Sequence, residues 1–377
     1  MWKWITSYLG HVFGKDHRFL GARAATNGTS IYEIPQNARI SIAGDWGTGT
    51  AESEMVASQM MLWDDGADLT IHLGDVYFVG GEDEVRENCL GGGGLANPRA
   101  TVRWPVGRLG SFALNGNHEM YANGTAYFKT FLPALGMKSP EGGMPGQGPS
   151  FFCLENTYWR IVGIDTGYNS VGTPILGLIP WFKPDCKLEQ ALIRWFRHAV
   201  EPKKRPKATV VLSHHQYFSA FEEGYPVPGK QLEEFFDGPI LWLWGHEHRF
   251  AGYKQTRAGK LTTYGRCIGH GGMPIEPGEP DRNSEYLDRL WFYDGRTNPR
   301  YEDDALGYNG FSKLQFDNQN LTLRHYSLAL DERHNYLAKP DLMVEESFSA
   351  EGSSVIFRGI NQSTVHEGII MAQGSAQ

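Results

Sequence analysis

The sequence predicts an α/β fold, and three observations carry that expectation. Residues 38–43 alternate Ile40 and Ile42 with small or polar neighbours, residues 51–63 follow a helical pattern, and residues 69–73 are apolar again, which makes a β-α-β unit of ordinary length. Apolar runs over 111–114, 208–212 and 240–244 each stop abruptly on polar residues, as strands do at the edge of a sheet. Beyond residue 260 the pattern changes to alternating segments, 260–268, 311–316 and 321–328, which read as antiparallel strands with Asp317-Asn318-Gln319-Asn320 as a turn.

The other elements follow in chain order. Residues 2–13 place Trp2, Ile5, Leu9, Val12 and Phe13 on one helical face with few cations, which fits packing against the body better than lying on a membrane. Residues 82–90 read as a helix. The four glycines 91–94 have neither a strand before them nor a helix after them, so they read as a surface loop and not as a phosphate cradle. Residues 126–135 resemble a helix, and 151–154 with 159–164 flank Glu155-Asn156-Thr157 as a hairpin. Residues 188–200 give the best amphipathic pattern (Leu188, Leu192, Trp195, Phe196, Ala199) and end before Pro202, and a short helix is expected over 231–236. After Asp331 the chain turns polar. The expected organisation is an N-terminal helical extension over 1–36, one domain over 37–330, and a partly disordered C-terminal extension over 331–377.

Composition bounds the function. With 377 residues, 41% of them hydrophobic, there is ample material for a large core. A net charge of −8 disfavours duplex nucleic acid as a broad-surface partner. Four scattered cysteines with no C-x-x-C pair argue against a zinc ribbon or a disulfide framework. Lys15-Asp16-His17-Arg18 interrupts any signal-peptide core, and no apolar run is long enough to span a membrane, so a cytoplasmic protein is expected.

The chemistry gathers at strand ends. The buried run 240–244 leads into Gly245-His246-Glu247-His248, and a buried strand has no use for two imidazoles at its tip unless something binds them. Asp45, Asp75, Asn117 with His118, and His214 with His215 stand at four further strand ends. If the strands are parallel neighbours these groups meet at one edge, where open α/β sheets put their ligands. Carboxylates, an amide oxygen and imidazoles together suit Zn²⁺, Mn²⁺ or iron. Neither H-E-x-x-H nor G-x-S-x-G is present to suggest a metalloprotease or a serine hydrolase.

The ordered set Gly44-Asp45-Trp46-Gly47, Gly74-Asp75, Gly116-Asn117-His118-Glu119, His214-His215 and Gly245-His246-Glu247-His248 resembles the calcineurin-like metallophosphoesterase superfamily. Gly47, where most branches have a histidine, looks like the purple acid phosphatase branch. The resemblance implies a four-layer α/β/β/α sandwich with two mixed β-sheets. It implies two divalent or mixed-valence metal ions (Zn, Mn or Fe), with Asp75 bridging, Asp45 and His248 on the first, and Asn117, His214 and His246 on the second. His118 would stand beside the leaving group, and a metal-activated hydroxide would attack phosphorus. Glu119 would orient a histidine from outside the ligand set, His72 and His215 read as structural, and His270 reads as a turn residue or a substrate contact.

One position departs from the branch. Its tyrosine ligand lies three residues after the bridging aspartate, where this chain has Phe78. Tyr77 comes one residue too early and would point away on an extended segment, unless a local bulge brought it back. The first metal is therefore expected to keep only Asp45, Asp75 and His248. The implied activity is hydrolysis of a small-molecule phosphomonoester. The alternatives are a phosphodiesterase acting on cyclic nucleotides or phospholipid-type diesters, and a non-catalytic interaction protein on the same fold. The loops that would choose among substrates, 88–110, 168–184 and 275–305, carry no motif.

Overall fold

The computed structural model describes residues 14–21, 29–62, 66–92, 102–171 and 184–372, so the helix expected over 2–13 lies outside the described residues. In chain order the strands are β1 (Ile31–Glu33), β2 (Arg39–Ala43), β3 (Leu69–His72), β4 (Gly110–Ala113), β5 (Gly136–Met137), β6 (Phe152–Glu155), β7 (Trp159–Gly163), β8 (Ala208–Ser213) and β9 (Ile240–Trp244). They continue with β10 (Phe250–Ala258), β11 (Leu261–Ile268), β12 (Leu290–Asp294), β13 (Gly310–Asp317), β14 (Asn320–Ser327), β15 (Asp341–Glu351), β16 (Ser354–Ile360) and β17 (Ile369–Met371). The α-helices are α1 (Ala51–Met60), α2 (Glu82–Cys89), α3 (Asn117–Met120), α4 (Gln190–Trp195) and α5 (Pro226–Leu232).

The strands form two mixed sheets, one in the order β1-β6-β7-β8-β9-β11-β10-β12-β17 and one in the order β16-β15-β14-β13-β2-β3-β4-β5. Period-two alternation decides what each strand buries. In β9, Leu241 and Leu243 face the other sheet, where they join Ile40, Ile42, Ile71 and Phe112 in a common core. Ile240, Trp242 and Trp244 face outward and pack with Leu192, Trp195 and Phe196 of the helix layer. On the far side Val56, Ala57 and Met60 of α1 cover the second sheet together with Phe128 and Phe131. Both faces of the central strands are thus covered, which is why the run 240–244 is apolar throughout. The layers are α/β/β/α, as expected.

Several local expectations shift. Residues 127–131 form a π-helical turn that runs into a 3-10 turn, and α4 continues into a π-helical turn over 196–200 that closes on Glu201 in the left-handed region. The short helix expected over 231–236 begins earlier, at Pro226, where a proline suits the first helical turn. The four cysteines are buried and free. Among the described residues no helix is long and apolar enough to cross a membrane.

The C-terminal segment differs most. Where a partly disordered extension was expected over 331–377, β15 and β16 extend the eight-stranded sheet and β17 closes the edge of the other, against β12. The pattern over 341–351 looked polar because Glu346 interrupts it, yet Glu346 is fully buried. Its carboxylate pairs with Arg266 of β11, on the facing sheet, and accepts from His325 at 3.1 Å. Arg266 is itself fully buried and also donates to the carbonyls of Tyr253 (2.6 Å) and Gly265 (2.5 Å). The ion pair bridges the two sheets and accounts for a charge in an otherwise apolar interior.

Candidate metal centre

Register places the site. Ala43 of β2 pairs with His72 of β3, and His72 with Ala113 of β4, so the loops after these parallel strands leave side by side. In the other sheet Ser213 of β8 pairs with Trp244 of β9. The two sets of strand ends face each other: the His246 N–H donates to Asp45 Oδ2 at 2.8 Å, and the Gly44 N–H to the Ile268 carbonyl at 3.4 Å. Asp45, Asp75 and His246 all adopt left-handed backbone conformations, with φ of 58°, 75° and 67°. Such conformations are costly for residues with a Cβ, and they turn these side chains out of the strand direction into a shared space.

Asp45 and Asp75 are buried to 0% and 1% exposure, and their ligand atoms lie with that of His214 within 4.8 Å of one another. His214 Nδ1 is 3.0 Å from the Leu73 carbonyl, which can only accept, so Nδ1 carries a proton there. The other nitrogen, Nε2, faces Asn117 Oδ1 at 3.1 Å and Asp75 Oδ1 at 3.3 Å. Asn117 turns its amide nitrogen the other way, to Tyr121 Oη at 3.1 Å. Two acceptors therefore converge on Nε2, and a positive charge belongs between them. In the metal-free chain a proton on His214 supplies it: burial opposes that charge, but Asp75 outweighs burial and lifts the imidazole to about 9.

Burial also pushes Asp45 up to about 7, against the charge of His214. For Asp75 burial acts in the same direction, but His214 and His118 hold its carboxyl well below the ordinary range. Burial drives His246 down to about 3 and His248 down to about 4, so both present neutral rings, each with one nitrogen lone pair. Buried carboxylates and neutral imidazoles at this spacing form a donor set that fits cations of the zinc, manganese or iron type.

All seven residues expected at the site are brought together. His248 Nε2 lies 3.7 Å from Asp45 Oδ1, and the His246 ring is centred 5.1 Å from that of His214. The His118 N–H donates to Asp75 Oδ1 at 3.0 Å, and its Nε2 stands 3.8 Å from Asp75 Oδ2.

Tyr77 overturns the expectation set for it. Its hydroxyl lies 2.9 Å from Asp45 Oδ1, 3.1 Å from Asp75 Oδ2 and 3.0 Å from His248 Nε2. Residues 77–79 form a turn, so the alternation of an extended segment does not apply after Gly74. The signal was in the glycines that follow: Gly80 has φ +62°, and a Cβ there would lie 2.5 Å from Glu119 Cα. The chain bends sharply to pass α3, and the bend carries Tyr77 inward. Gly47 is explained by the same turn, because it bridges to Val76 and a Cβ on it would meet the Asp75 carbonyl at 2.8 Å.

The remaining polar residues sort themselves by contact. Glu119 orients no histidine; its Oε2 accepts from the N–H groups of Asp75 (3.2 Å) and Gly116 (2.9 Å), and so fixes the backbone beneath the site. His72 Nδ1 accepts from Gly74 N at 3.0 Å and its ring packs among Trp46, Trp104 and Phe131, a structural duty. His215 is held by Thr166 Oγ1 at 3.0 Å, and a ring nitrogen lies within 4.8 Å of the ligand atoms of His214 and His246. His270 is buried against Phe250, 3.4 Å from the Tyr326 carbonyl.

A family model for calcineurin-like phosphoesterases matches residues 38–250. Among solved structures, that of PhoD is similar at a TM-score of 0.52 and 10% identity, covering 89% of this chain and 73% of that one. Vps29 from Chaetomium thermophilum covers 84% of this chain and 100% of its own at a TM-score of 0.32 and 10% identity. No curated protein matches the chain.

Proposed function

Because the chain belongs to the calcineurin-like phosphoesterase family, whose chemistry is metal-dependent phosphoester hydrolysis, we propose that it hydrolyses a phosphomonoester in the manner of the purple acid phosphatase branch. The observation that carries this reading is Tyr77, whose hydroxyl stands between Asp45, Asp75 and His248. That is the company a tyrosine ligand keeps in the purple acid phosphatases.

In this reading two cations would be held, one by Asp45, His248 and Tyr77 and the other by Asn117, His214 and His246, with Asp75 serving both. Bound there, the cations would neutralise phosphate oxygens and activate the attacking water. The protein's own contribution is placement and charge. The His246 N–H holds Asp45 Oδ2, and the His118 N–H holds Asp75 Oδ1, so each carboxylate keeps its second oxygen turned to the site. His118 Nδ1 is committed to the Phe78 carbonyl at 2.6 Å. A proton passed to the leaving oxygen therefore travels from Nε2 of the doubly protonated ring, the nitrogen that faces Asp75, and leaves His118 as the neutral Nδ1–H form.

Elemental analysis of the purified protein tests the metal assignment; close to two equivalents per chain are expected, and none at all would sink it. Rates on 4-nitrophenyl phosphate and on bis(4-nitrophenyl) phosphate then rank monoester against diester hydrolysis. A preference for the diester would move the chain out of the monoesterase reading.

A further inference from the structure

Helix α2 lies beside the site and contributes none of the residues discussed so far, yet two of its side chains grip the turn that carries Tyr77. An N3 glutamate in a capping box ordinarily takes one backbone N–H. Glu84, the N3 residue of α2, takes three: Phe78 N at 2.7 Å, Val79 N at 3.0 Å and Gly81 N at 3.1 Å. One helical turn on, Asn88 Nδ2 donates to the Tyr77 carbonyl at 2.9 Å and the Gly47 carbonyl at 3.2 Å. The gripped turn serves the site twice. It aims the Tyr77 hydroxyl, and its Phe78 carbonyl accepts from His118 Nδ1. Phe78 is thus held at its nitrogen by Glu84 and at its oxygen holds His118.

We propose that Glu84 is a positioning residue for phosphoester hydrolysis, clamping the 77–81 turn so that His118 keeps its proton on Nδ1 and presents Nε2 to the leaving group. The clamp rests on the reading of His118 given above. Glu84 touches no proposed ligand and no reacting atom, and Asn88 holds the Tyr77 carbonyl independently of it, so the effect of Glu84 should follow the leaving group and not substrate binding.

The test compares Glu84→Ala, Glu84→Gln, His118→Ala and the Glu84→Ala/His118→Ala double variant on 4-nitrophenyl phosphate and on an alkyl phosphate. The alkyl ester needs a proton at its leaving oxygen and the nitrophenolate does not. Glu84→Ala should lower kcat on the alkyl ester by about 10- to 100-fold, with much smaller losses on the nitrophenyl ester and KM within about threefold. Glu84→Gln keeps one acceptor oxygen and the packing volume, so it should fall between Ala and wild type. The double variant should be no slower than His118→Ala alone, because both changes act through one group. Nitrogen-15 shifts of His118 should show one Nδ1–H tautomer in wild type and a mixture in Glu84→Ala. Equal losses on the two esters, a multiplicative double variant or an unchanged tautomer would each overturn the proposal. A wild-type chain that hydrolyses neither ester, or a fully active His118→Ala, instead defeats the reading of the site. The tautomer spectrum of Glu84→Ala against wild type still decides the clamp if the wild-type chain hydrolyses neither ester.

Discussion

Replacing Tyr77 by Phe removes one oxygen from the most crowded point of the site. The ring is 2% exposed and sits against His118 at 4.3 Å between centroids, so the phenylalanine fills the same space. What disappears is the hydroxyl that stands within 3.1 Å of Asp45, Asp75 and His248. It has one proton, so it donates one hydrogen bond at a time to a buried carboxylate. Losing that bond costs about 1.5–3 kcal/mol. In chelator, where the chain is metal-free, this should appear as a fall in melting temperature of roughly 2–4 °C, because about 2.1 cal/mol/K per residue over 377 residues makes each kcal/mol worth about 1.3 °C. With metals the effect should be larger and of a different kind. If the phenol oxygen is a ligand of the first cation, its loss should weaken binding at that site at least tenfold, on the order of 1.4 kcal/mol or more, and leave the second site untouched. Calorimetric metal titration of both proteins separates the two effects. Equal melting temperatures in chelator together with superimposable titrations would refute the placement of Tyr77 and the branch assignment that depends on it.

Asp75→Asn and His246→Ala should each abolish turnover while circular dichroism shows that the chain stays folded; wild-type rates in either would refute the ligand set. The Arg266–Glu346 pair predicts acid lability. Burial opposes ionisation of Glu346, but Arg266 outweighs it and holds the carboxyl at about 2, against an ordinary 4.5. A depressed pKa gives stability that is complete above about pH 4.5 and is lost as pH falls towards 2, some 3 kcal/mol in all at about 1.4 kcal/mol per unit. His325, lowered from 6.5 mainly by burial, adds to the loss in the same direction from pH 6.5 downward. Urea midpoints at pH 7, 5 and 3 should fall in that order, and a flat series would contradict the pairing. Glu346→Ala should cost about 3–5 kcal/mol by leaving Arg266 buried and unpaired, whereas Arg266→Met with Glu346→Leu should cost far less and flatten the pH dependence. A double variant as unstable as the single would show that packing, not charge, is what Glu346 supplies.

Most of the site could be read from the chain because its chemistry sits directly after strands, where short apolar runs make their own ends visible. Asp45, Asp75, His214 and His246 all follow such runs, and the structure brings them to one place. Tyr77 was misread because strand alternation was carried past Gly74 into a turn whose cause, the close passage of Gly80 over Glu119, is a tertiary contact. Strands β10 and β15 were missed for a related reason. Their patterns include buried polar groups such as Glu346 and Thr256, and those look like surface until their partners are known. Glu84 had the sequence signature of a helix start and nothing more; its three backbone donors could be seen only once the 77–81 turn was in place.

Strand β2, which ends two residues before Asp45, lies between β3 and β13. Ile42 pairs with Ser312, about 270 residues later, so at 5–20 residues per second β2 is made roughly 15–55 s before its second neighbour. Every proposed ligand has been synthesised by residue 248, yet the strand that holds Asp45 in register has not. During that interval β2 is an open edge of a parallel sheet, the kind of surface that recruits other chains. A gene fragment ending near residue 250 would encode all of the site's chemistry and leave that edge bare for good. Its product should accumulate as aggregate, and solubility should return only when the encoded chain reaches past residue 317.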